Sequence, residues 1–133
     1  MIDTELTGRN TDLLTNFREA LFLVRQEIRW KAGKGPEHLE KRIRLGHLKP
    51  RATLSGYEKV ILTVVNRSDA DAYVYKFGAA VYAAVGARVA GAYWLVMFGM
   101  DGVMETVFPP FDPEDYLTDF RFKRIGVLRE VES

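Results

Sequence analysis

Apolar residues recur at Leu13, Leu14, Phe17, Leu21, Val24 and Ile28. Steps of three and four put them on one side of a helix. The spacing predicts a helix over 11–30, capped by Asn10 or Thr11 and with Asp12 in its first turn. Ala32-Gly33-Lys34-Gly35 ends it, and Pro36 suits the first position of the next helix, 37–45, which stops at Gly46. On that helix Leu39 and Ile43 share an inward face, while His38 and Arg42 are neighbours on another. A loop around Pro50 leads to a third helix, about 56–66, capped by Ser55 and burying Val60, Ile61, Val64 and Val65.

After a turn at 66–71 the period changes. Tyr73-Val74-Tyr75 reads as a strand. The stretch 79–90 is ambiguous, because alanine favours helix while valine and tyrosine favour strand. Tyr93 to Phe98 is a buried strand, Asp101-Gly102 a hairpin turn, and Val103 to Phe108 the returning strand. Pro109-Pro110 ends it. Pro113 opens a short helix to about Phe120, and Phe122 to Val131 reads as a last strand. Helices first and strands afterwards predict an α+β domain, N-terminal helices packed on a C-terminal antiparallel β-sheet. Leu21, Val24, Val64, Leu95, Met97, Val103 and Val107 are the expected core.

The length of 133 residues fits one domain over 1–133, with 1–9 as an unanchored tail. No apolar run approaches the ~20 residues of a membrane span; the longest, Ala79 to Met100, is broken by Arg88 and by glycines. The polar N-terminus shows no signal peptide. Action in the cytoplasm is expected, with any delivery left to other machinery. The absence of cysteine removes disulfides, thiolate catalysis and cysteine-ligated zinc, and is neutral about compartment.

A net charge of +1 hides an asymmetry. Arg18 to Arg51 holds ten Lys/Arg against four Asp/Glu, whereas Asp101 to Asp119 holds six acidic residues and no Lys or Arg. A basic half points to a polyanionic partner, either nucleic acid or an acidic protein.

The chemistry concentrates between Glu37 and His47, which contains both histidines of the chain. Histidine exchanges protons near neutral pH, and lysine and arginine bind phosphate. His38 and His47 are therefore candidate general acid and base, in either order, or else surface and loop-packing residues. A two-histidine metal site lacks helical i,i+4 spacing and an obvious third ligand, so no metal and no cofactor is expected. Lys41, Arg42 and Arg44 are either phosphate clamps or a solvated face paired internally through Glu37–Lys41. Thr106 is either an ordinary strand residue or a hydroxyl for a reacting phosphate; Glu105 points to the opposite sheet face. Of the strand aromatics, Tyr93 is the candidate to stack a base. No Walker loop is present, and the glycines at 86, 91, 99 and 102 match no dinucleotide fingerprint.

Taken together, His38-x-x-Lys41-Arg42-x-x-x-Gly46-His47, a Tyr-led helix, then Trp94-Leu95-Val96-Met97, Asp101-Gly102 and Thr106-Val107-Phe108-Pro109-Pro110 resemble the barnase, EndoU, colicin and RelE-like nuclease group, and its small bacterial and phage toxin branches in particular. The resemblance runs from about His38 to Leu117. It implies a ribonuclease toxin that cleaves RNA without metal, with His38, Arg42, His47 and Thr106 at the site and a cognate immunity or antitoxin protein as partner. The alternative is a non-enzymatic binding module or accessory protein whose basic face meets an acidic partner. The sequence does not give the oligomeric state.

Overall fold

The computed structural model describes residues 11–133; the expected tail and Asn10 lie outside them. The chain runs α1 (Thr11–Gln26), β1 (Arg29–Trp30), α2 (Lys34–Arg44), α3 (Leu54–Val65), β2 (Asp71–Phe77), β3 (Ala80–Val89), β4 (Ala92–Gly99), β5 (Val103–Phe108), α4 (Pro113–Tyr116), β6 (Phe122–Val127) and α5 (Leu128–Glu132). This is the α+β arrangement read from the sequence. The strands form one sheet in the order β1-β5-β4-β3-β2-β6.

The sheet is mixed rather than purely antiparallel, because β1 pairs parallel with β5. Residues 29 and 30 leave the expected first helix to make that pairing, with Arg29 facing Val103 and Trp30 facing Met104. Periodicity could not foresee this, since Ile28 continues the apolar stripe of α1. The ambiguous stretch 79–90 is a strand because β2 and β4 flank it and take up its backbone groups on both sides. Thr53, not Ser55, caps α3: its hydroxyl accepts from the Gly56 N–H at 3.1 Å. The expected last strand divides into β6 and the terminal helix α5, whose Leu128 and Val131 are buried. The short helix α4 stops at Tyr116, four residues before its expected end.

Two faces of the sheet are covered by different material. On the first, Leu21 and Val24 of α1 and Tyr57, Ile61 and Val64 of α3 pack on Val74, Val85, Val96 and Val107. On the second, Tyr73, Ala84, Leu95 and Met97 lie beneath Leu117 and Phe122. Of the expected core, all but Val103 are buried; Val103, beside the two-residue edge strand β1, keeps partial exposure.

Candidate functional site

Helix α2 carries the candidate cluster and lies where β1 stops short, so it covers the part of β5 that β1 leaves unpaired. The residue that seats it is Trp30. Its indole stacks with both Tyr57 (centroids 5.8 Å, planes 24° apart) and His38 (5.4 Å, 27°). Its Nε1–H donates to Glu58 at 2.8 Å. Tyr57 in turn donates its hydroxyl to the Val107 carbonyl at 2.5 Å. A ring column thus ties α2 through α3 to the strand, and it fixes where His38 stands.

One turn after His38, Arg42 is buried, with only 4% of its surface exposed. Its Nη1 lies 3.3 Å from Nδ1 of His47, and its Cζ lies 5.8 Å from the centre of the Phe108 ring. Its Nε has no hydrogen-bond partner among the described residues. No carboxylate pairs with it there either. The acids nearby are engaged elsewhere: Glu37 with Lys34 at 3.3 Å, Glu58 with Trp30, and Glu105 with Lys31 at 3.2 Å. The first of these replaces the expected Glu37–Lys41 pair. A buried cation without a counter-ion is costly, and Arg42 stays charged even though burial presses its pKa down.

His47 reaches Arg42 because the chain reverses at Gly46, whose φ of 77° favours glycine. The His47 N–H donates to the Arg42 carbonyl at 2.8 Å. An arginine can only donate, so Nδ1 of His47 is the acceptor and its proton sits on Nε2. Burial, then the Arg42 charge, hold the pKa of His47 below its ordinary value; the same two causes act in the same order on His38. Both effects favour the neutral ring over the imidazolium.

Thr106 faces Met97 across the β4–β5 pair, which places it on the same sheet face as Phe108. Its hydroxyl has no hydrogen-bond partner among the described residues. Lys41 and Arg44 point to solvent on the outside of α2 and pair with no carboxylate there.

No family model matches the chain, and no curated protein and no solved structure is significantly similar to it.

Tyr93 is not brought to this cluster. It lies toward the other end of the second sheet face and donates its hydroxyl to Asp71 at 2.9 Å. Conversely, Trp30, Tyr57 and Phe108, which frame the cluster, were not singled out from the sequence. Trp30 falls at the end of a predicted helix, and Phe108 enters only as part of a strand and of the Thr106-to-Pro110 run. The remaining signal was the aromatic at the head of the third helix, Tyr57.

Proposed function

We propose that this chain is a metal-independent ribonuclease of the toxin type, acting at Arg42, His38 and His47. One observation carries the reading: a buried arginine with no carboxylate partner among the described residues stands beside both histidine rings of the chain. Such a site lacks an anion, and a phosphodiester supplies one in the planar, forked geometry that guanidinium prefers. His38, whose pKa burial and the Arg42 charge hold down and which makes no hydrogen bond to another described residue, accepts the proton of a ribose 2′-hydroxyl. The freed oxygen attacks the adjacent phosphorus, and Arg42 stabilises the charge that develops there. His47, oriented by Arg42, presents Nε2–H toward the leaving 5′-oxygen. As Arg42 turns its donors to the phosphodiester, Nδ1 of His47 is released, and the adjacent negative charge raises the proton affinity of the ring, so His47 takes a proton at Nδ1 and gives up the Nε2 proton as the P–O5′ bond breaks. Thr106 offers a hydroxyl to the phosphate, and Lys41 and Arg44 meet flanking phosphates. The toxin setting and a cognate inhibitor rest on the sequence resemblance.

The test is to incubate purified protein with total RNA, with and without chelator. Cleavage that survives chelator and leaves 2′,3′-cyclic phosphate ends is expected. Intact RNA from a folded sample overturns the nuclease reading and favours the binding-module alternative, in which the solvent-facing Lys41 and Arg44 meet an acidic protein.

A further inference from the structure

The second sheet face carries a cleft of about 670 Å³ between α4 and the β2–β6 end of the sheet. It is separate from the Arg42 cluster. Phe108, Leu95, Gly86 and Asp71 face one another in turn on β5, β4, β3 and β2. Three strand spacings of ~4.8 Å therefore put Asp71 about 14 Å from Phe108.

The floor of the cleft is rigid. The Tyr93 ring crosses β3 directly above Gly86, where a Cβ would fall 2.1 Å from the phenol oxygen. Only glycine allows that crossing. Tyr93 then donates to Asp71 Oδ2 at 2.9 Å, while Arg124 Nη2 donates to Asp71 Oδ1 at 3.1 Å. With both oxygens engaged, Asp71 fixes the two side chains around it. The rim, by contrast, is free. Arg88, on β3, and Glu114, on α4, make no side-chain hydrogen bond or ion pair among the described residues, although both line the cleft. Tyr73 and Phe122 meet edge to face within the lining, centroids 5.8 Å apart.

This combination selects its ligand. Phe122, partly exposed with Tyr73 packed edge-on beneath it, offers an aromatic surface for a planar ring. A free carboxylate on one side accepts from ring N–H or amino groups. A free guanidinium on the other pairs with an anion, and phosphate suits its fork. The volume is in the range that holds small organic ligands. We infer that this cleft is a binding site for a nucleoside monophosphate, with the base against Tyr73 and Phe122, its N–H groups toward Glu114 and its phosphate toward Arg88. An aromatic amino acid offers similar chemistry, a ring with an ammonium and a carboxylate, and serves as the competing ligand in the test.

The test is calorimetric titration of the full chain with AMP, GMP, CMP and UMP, with the matching nucleosides, and with tyrosine and phenylalanine. Mononucleotides contain no phosphodiester, so the outcome does not depend on RNA cleavage. At least one nucleotide should bind, and Arg88→Ala should weaken it about tenfold or more, as loss of a charge-assisted hydrogen bond does, while leaving the nucleoside unchanged. Glu114→Gln should weaken nucleotide and nucleoside alike. Both residues are at the surface, so neither substitution threatens the fold, and nucleotide binding at the cleft should persist in Arg42→Met, which lacks the phosphate site proposed at Arg42. No nucleotide binding at millimolar concentration overturns the proposal. So does binding that ignores Arg88→Ala and Glu114→Gln or disappears with Arg42→Met, and so does tighter binding of either amino acid.

Discussion

Arg42 places Nη1 3.3 Å from Nδ1 of His47 while no carboxylate pairs with it among the described residues. A buried arginine is normally neutralised by an acid; this one rests against an imidazole and the Phe108 ring instead. Attraction to a ring face is worth about 0.5–2 kcal/mol, less than the several kcal/mol that burying an ion costs. The arrangement holds a cation in place at the expense of stability.

Arg42→Met should therefore stabilise the fold. Removing the uncompensated charge while keeping an unbranched apolar side chain is expected to add about 1 kcal/mol or more, read from the urea midpoint. Sulfate or phosphate should raise the melting temperature of the wild type, by the equivalent of about 2.7 kcal/mol at a hundredfold excess over Kd, and leave the variant unmoved. A loss of about 3 kcal/mol in Arg42→Met would instead make Arg42 a structural residue.

Stability should fall as pH drops below about 6.5. Both histidines have folded-state pKa values below 6.5, so between those lowered values and 6.5 the unfolded chain binds more protons than the folded one. Stability accordingly rises with pH across that window and gains nothing from these groups above it. NMR titration should place both midpoints below 6.5, and Arg42→Met should move both upward, since the Arg42 charge is one of the causes of each shift. A midpoint above 6.5 for either ring would contradict the geometry.

His38→Ala and His47→Ala should each lower the rate of RNA cleavage by about 10²–10⁴. His47 is partly exposed, but it is the one hydrogen-bond acceptor of the Arg42 guanidinium among the described residues, so His47→Ala should also cost about 1–3 kcal/mol. His38 stacks on Trp30, so His38→Ala should also cost about 0.5–1.5 kcal/mol; His38→Phe should keep that packing and still be inactive. Wild-type cleavage in both alanine variants would end the proposed mechanism.

Leu95→Ala should cost about 2–5 kcal/mol in denaturant melting. Leu95 has no exposed surface and sits on the face beneath α4, away from the main helices. A loss under about 0.5 kcal/mol would mean that α4 and the segment around Leu117 do not close over the sheet.

The order of the main elements is written locally along the chain. Helical spacing from Leu13 to Val24, alternation and apolar runs after Asp71, and the turn at Asp101-Gly102 are local signals, and local sterics and hydrogen bonding act on them without help from distant residues. The sequence also brought His38, Arg42 and His47 together, because a helix and one glycine reversal span them. Other features depend on distant partners that no local signal names. Arg29 and Trp30 became a strand because β5 offered a free edge. Residues 80–89 became one because strands lay on both sides. Leu128–Glu132 became helix where Leu128 and Val131 find the core. The solitude of Arg42 is likewise a tertiary fact: the sequence places acids close by at Glu37, Glu58 and Glu105, and only packing commits each to another partner. Tyr93 was separated from the histidines for the same reason, since strand order sets it two strands away from β1 and turns its hydroxyl to Asp71.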